Sequence, residues 1–161
     1  MPSMFDRFIV VDWSANSTPK HGRDSIWVGH LDVTRSTSVT NLPTRREAEA
    51  LLGRLFETEP TLTTLVGVDF SLGYPAGTAR ALGADGAPWS AMWSLLSEHI
   101  VDDDRNANNR FAVAAEFNRR LTGTASPFWG CPPRSAGRHL TTTKPPDAVQ
   151  PAPFRATEEV L

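Results

Sequence analysis

Residues 7–13, RFIVVDW, and residues 64–71, TLVGVDFS, decide the fold. Each is an apolar run rich in β-branched residues that stops at an acid, then an aromatic, then a serine, and each reads as a strand. The first is apolar without a break, which predicts a strand buried on both faces with Asp12 near its C-terminal end. Ser14 to Asp24 follows as a polar loop. Ser25 to Val33 (SIWVGHLDV) reads as a second strand, Thr34 to Ser36 as a turn, and Ser38 to Asn41 as a short third strand, together an antiparallel meander. Behind Pro43, Thr44-Arg45-Arg46-Glu47 has the form of a capping box, with Thr44 accepting from the N–H of Glu47 and Glu47 reaching back to that of Thr44. Ala48, Leu51, Leu52, Leu55 and Phe56 continue at helical spacing until Pro60. A helix between the meander and residues 64–71 makes the fourth strand a crossover partner of the first, parallel to it in one mixed sheet. Asp12 and Asp69 then emerge at the same C-terminal edge, where open α/β sheets bind ligands.

Beyond that sheet, Pro88 opens a helix carrying Trp89, Met92, Trp93, Leu96 and Ile100, which predicts core tryptophans. A further helix from about Asn109 to Leu121 presents Phe111, Ala114 and Ala115, with Arg119 and Arg120 in its last turn and Gly123 as its C-terminal cap. Gly73, Pro75 and Gly77 form a sharp loop. Residues 122–156 read as a Pro-rich irregular segment, since seven prolines fall between Thr122 and Phe154. Thr157 begins a helix that Leu161 does not complete. The expectation is therefore one α/β domain over 1–161, truncated at 161, with a second copy covering the C-terminal end.

Composition narrows the function classes. With 161 residues, 40% of them hydrophobic, five Trp and eight Phe, the chain can build a core, so a disordered or fibrous chain is excluded. Sixteen basic against eighteen acidic residues give a net charge of −2. No strong overall field draws in nucleic acid or an anionic membrane. The single cysteine, Cys131, cannot form an internal disulfide, which suits a reducing compartment. No run approaches the roughly 18 apolar residues of a membrane span, and the N-terminus lacks a signal peptide, so the expected location is cytoplasmic. His21, His30, His99 and His139 are scattered without metal-ligand spacing, which argues against zinc.

The chemistry lies in the strand-end acids. Two neighbouring carboxylates repel unless a cation or proton sits between them, and hard magnesium or manganese ions prefer such oxygen ligands. Asp24, opening the antiparallel second strand beside Asp12, is either a further metal ligand or a turn acid paired with Lys20 or Arg23. The loop around Ser14, Lys20 and Arg23, with Ser71 after the fourth strand, offers phosphate-type donors. Asn108, Asn109 and Arg110 at a helix start either meet phosphate or cap the helix. Phe128 and Trp129 either stack a base or pack internally.

The order β-β-β-α-β-α with an acid ending strands one and four resembles the ribonuclease H-like fold. The segments VVDWSA, RDSIW, GVDFSLGYP, NNRFAVAAEFNRR and PFWGCP are similar to an uncharacterised bacterial family regarded as predicted nucleases of that fold, over nearly the whole chain. The resemblance implies that Asp12 and Asp69 hold magnesium or manganese for phosphodiester cleavage, with nucleic acid or a nucleotide as partner. It leaves the helix-borne acid without a clean match, Glu47 being explained by capping and Glu49 lying opposite Leu51, and the C-terminal acid would be Glu158 or Glu159. Two other readings follow from the same platform: a magnesium-assisted nucleotide- or phosphate-binding protein, and a catalytically inactive interaction domain.

Overall fold

The computed structural model describes residues 4–32, 34 and 36–146. It is a mixed α/β protein with a four-stranded mixed sheet and, among the described residues, four α-helices. Two compact units divide these residues, one of 4–71 with 102–107 and one of 72–101 with 108–146. Among the described residues no helix is long and apolar enough to cross a membrane.

The first unit holds the sheet. Strands β1 (Arg7–Asp12), β2 (Ile26–Leu31), β3 (Thr37–Leu42) and β4 (Thr64–Val68) lie in the order β3-β2-β1-β4. β1 pairs antiparallel with β2 and parallel with β4, so the two acid-ended strands are neighbours as expected. The helix α1 (Arg45–Thr58) begins where the capping box places it: the N–H of Glu47 donates to Thr44 Oγ1 at 3.2 Å. The return half of the box differs, because Thr44 Oγ1 donates to the Glu47 carboxylate at 3.1 Å.

One sheet face packs against α1. Ile9, Val11, Ile26 and Val28 are each at most 1% exposed and meet Ala48, Leu51, Leu52 and Leu55. Burying each such strand side chain contributes roughly 1.5–3 kcal/mol. The expectation that β1 is buried on both faces is corrected here: Val10, pointing the other way, is 62% exposed. Its neighbours on that face are Gly29 and Gly67, and α1, the one helix among the unit's described residues, lies on the opposite side.

The second unit is helical, with α2 (Thr78–Ala81), α3 (Pro88–His99) and α4 (Arg110–Leu121) around Leu82, Met92, Leu95, Val113 and Phe117. On α3 the expected Met92 is in this core, with Leu96 and Ile100 packed against it, but the tryptophans are not core residues. Trp89 is 67% and Trp93 37% exposed, while Ala91, Met92 and Leu95 are buried. On α4 the buried residues are Val113, Phe117 and Asn118. Asn118, fully buried, receives the N–H of Phe128 at 2.8 Å and donates to the carbonyls of Phe128 and His139, each at 2.7 Å. Gly123 follows α4 at φ 69°, the left-handed conformation its capping role requires. As far as residue 146 the Pro-rich segment is irregular apart from a 3₁₀ turn at Pro133–Ser135 and one bridge. Thr157, Glu158 and Glu159 lie outside the described residues.

Candidate functional site at the C-terminal edge of the sheet

Asp12 closes β1, and Asp69 stands one residue beyond the last β1–β4 ladder pair, Val11 with Val68. The backbone N–H of Trp13 donates to Asp69 Oδ1 at 2.9 Å, so the Asp69 carboxylate sits against the residue that follows Asp12. Both acids are exposed. The aromatic residues after them, Trp13 and Phe70, meet edge to face at 5.9 Å between centroids and tie the two strand ends together.

The ladder register extends this pair into a row. Asp12 faces Trp27 of β2, and Trp27 faces Asn41 of β3. Since directly opposed residues project from the same face, Asn41, Trp27 and Asp12 line up across the sheet end, with Asp69 on the far side of Asp12. The loop before β2 closes over one end of the row. Trp27 Nε1 donates to the carbonyl of Gly22 at 3.1 Å, and the N–H of Gly22 donates to Asn41 Oδ1 at 2.8 Å.

The other expected residues sit on that loop. Ser14 is buried, and its hydroxyl donates to the backbone carbonyl of Asp24 at 2.8 Å. The Asp24 side chain meets Lys20 at 3.2 Å and Arg23 at 3.8 Å, the turn-acid arrangement. Asp24 itself has φ 59°, a left-handed conformation that the two hydrogen bonds to its carbonyl, from Ser14 Oγ and Asn16 Nδ2, hold in place. Arg23 is 94% exposed. Ser71 is exposed two residues after Asp69. Glu47 is engaged in the cap. Glu49 lines a groove of about 870 Å³ that also includes Val11, Trp13, Leu52, Phe56 and Val68, on the α1 side of the sheet and away from the row.

Three residues of the site region escaped the sequence reading. Trp27 and Asn41 were legible in principle, because strand alternation puts Trp27, between Ile26 and Val28, on the face of Asp12, and the β2–β3 pairing puts Asn41 opposite Trp27. Arg45 was not. Its backbone N–H donates to Asn106 Oδ1 at 2.9 Å, and its guanidinium pairs with Asp102 and donates to the carbonyls of Ser14, Asn16 and Asn106. It thereby fixes the start of the site loop.

Asn109 is spent on its own unit: its Oδ1 accepts from Val101 N and its Nδ2 donates to the carbonyl of His99, both at 2.9 Å. Asn108 Oδ1 accepts from the Arg110 guanidinium at 2.9 Å. Phe128 packs beside Phe117 while Trp129 is 51% exposed. Among the described residues no three His, Cys, Asp or Glu side chains gather as a metal-ligating group. Comparison with known proteins brings out no matching family model, no matching curated protein and no matching solved structure.

Proposed function

We propose that the first unit is a ribonuclease H-like core acting as a metal-dependent phosphodiesterase, a nuclease, with its site at the Asp12–Asp69 edge. The observation that supports this reading is the contact of Asp69 Oδ1 with the N–H of Trp13 at 2.9 Å, which puts two exposed carboxylates at the ends of adjacent parallel strands.

The donor set fits a hard divalent ion. Both ligands are carboxylates, and the bond from Trp13 occupies only one lone-pair direction of Asp69. Asp12 and Asp69 would hold magnesium or manganese, which in phosphodiester cleavage lowers the pKa of a bound water and stabilises charge on the leaving oxygen. Lys20 and Arg23 contribute cations for the phosphate, since their exposed pairs with Asp24 are worth only about 0–1 kcal/mol and yield to a better anion. Ser14 acts through the backbone by pinning the loop that carries those cations.

Calorimetric titration of manganese into the protein, Asp12→Asn and Asp69→Asn tests this, together with manganese-dependent cleavage of DNA and RNA. Each substitution keeps shape and removes an anionic ligand. Loss of an outer-shell partner already costs about 10–100-fold in metal affinity, so loss of a direct ligand should cost no less. Unchanged affinity in both variants refutes the assignment. Metal binding without cleavage of either nucleic acid assigns the site to nucleotide or phosphate binding.

A further inference from the structure

The row that contains the acids also contains an aromatic residue, Trp27, and two valines of the next row on that face are exposed. Trp27 is 36% exposed and is the cross-strand partner of Asp12, which places the two Cβ atoms roughly 4.5–5.5 Å apart. Its indole N–H is bonded to the carbonyl of Gly22, so the ring is anchored at its edge. Arg23, adjacent to Gly22, extends almost wholly into solvent, and Lys20 stands two residues before Gly22. The next row inward on the same face is Val39, Gly29, Val10 and Gly67. Val39 is 69% and Val10 62% exposed, and the two glycines leave that stretch flat.

An exposed indole held at its edge, two cations beside it and a flat apolar surface on one side match the parts from which sequence-tolerant single-strand binding is built. Bases stack on aromatic side chains, while cations follow the backbone. Arg23 and Lys20, whose pairs with Asp24 are exposed and exchange readily, supply cations for the phosphate next to a base on Trp27, and the Asp12–Asp69 edge takes the following one through a bound divalent ion. We propose that Trp27 is the base-stacking residue of this site, and that the open face of the sheet takes a single-stranded nucleic acid with one base on the indole. The assignment rests on the phosphodiesterase reading and names its substrate class. Duplex nucleic acid cannot use the platform, because its bases are stacked on one another and not on protein.

The test is fluorescence anisotropy of labelled oligothymidylate and oligouridylate, read with calcium and with chelator, on the whole chain. Trp27→Leu should lower affinity roughly 5- to 150-fold, the effect of losing one stacked base, whereas Trp27→Phe should retain most of it. Trp27→Leu should also raise KM for cleavage with little change in kcat. The fold tolerates both changes, since Ser25 Oγ also donates to the Gly22 carbonyl, at 2.5 Å, and circular dichroism checks this. Arg23→Gln should reduce the slope of log affinity against log salt by about one. Unchanged affinity in Trp27→Leu, equal affinity for a mononucleotide and an oligonucleotide, or no oligonucleotide binding in either condition would overturn the proposal. Manganese-dependent cleavage lost in Asp12→Asn yet unaltered in Trp27→Leu would overturn the stacking role and leave the phosphodiesterase reading standing.

Discussion

Replacing Arg45 by methionine removes the cation that joins the start of α1, the site loop and residues 102–106. Its side chain is 11% exposed and that of Asp102 36%. Breaking a buried ion pair costs about 3–5 kcal/mol, because the abandoned charge is left without water, while exposed pairs are worth about 0.2–1 kcal/mol. Asp102 regains part of its hydration, which lowers the cost below the buried limit. The carbonyls of Ser14, Asn16 and Asn106 also lose a charged donor, and such bonds contribute about 1.5–3 kcal/mol when counted singly. These terms share one side chain and do not add. The expected loss is about 2–4 kcal/mol, close to the upper range of single substitutions.

Urea unfolding followed by tryptophan fluorescence reads that loss, and amide hydrogen exchange at residues 14–18 reads its location. Arg45→Lys should fall between wild type and Arg45→Met, since an ammonium can reach Asp102 but lacks the planar fork that serves the carbonyls as well. Manganese affinity should fall in Arg45→Met although Asp12 and Asp69 are untouched, because the loop that frames them loosens. A loss below about 0.5 kcal/mol, the usual bound for surface changes, with unaltered exchange at residues 14–18 would show that Arg45 does not organise the loop.

Tyr74 is the chain's single tyrosine, so phenolate absorbance titrates it alone. Burial pushes its pKa up, and it packs against Phe128 at 6.1 Å. The folded unit disfavours the phenolate, so the corresponding stability is intact below the unfolded value of about 10 and is lost as pH rises from there through the folded value. The native midpoint should exceed the midpoint in urea, and coincident midpoints would show that the ring is solvated. Asn118→Asp keeps the acceptor for Phe128 N–H but turns a buried donor into an anion facing two carbonyls. The second unit should lose about 3 kcal/mol or more at neutral pH by thermal unfolding, less at acidic pH, and a loss under 1 kcal/mol would refute the role given to this residue.

How much of this was legible follows from the range of the interactions involved. The sheet order and the parallel pairing of β1 with β4 were readable because they depend on local signals: two apolar runs ending in acids, a meander and one capped helix between them. The faces were not. Residues 8–11 are apolar throughout, but of these Ile9 and Val11 are the ones buried against α1, and an apolar residue such as Val10 carries no mark of the side it takes. The tryptophans of α3 show the same limit, for helical periodicity finds several arcs and the partner selects one. Asn118 and Arg45 were invisible because a polar residue that is buried looks like a solvated one until its partners are known. Arg45 meets Asp102, 57 positions away.

The placement of charge around the sheet end connects these observations. Arg45 closes on Asp102, Arg46 on Asp104, and Lys20 with Arg23 on Asp24, all within the first unit. No basic side chain among the described residues forms a salt bridge with Asp12 or Asp69. Lys20 and Arg23 meet Asp24 in exposed pairs that exchange readily, while the two strand-end carboxylates stay exposed at the same edge, Asp69 held against Trp13. A hard divalent ion prefers carboxylate oxygens of this kind, and no basic side chain competes for them. A lysine paired with Asp12 or Asp69 would occupy the oxygens that such an ion needs. The pair without a basic partner lies at the edge that also carries Trp27 and the loop of Lys20 and Arg23.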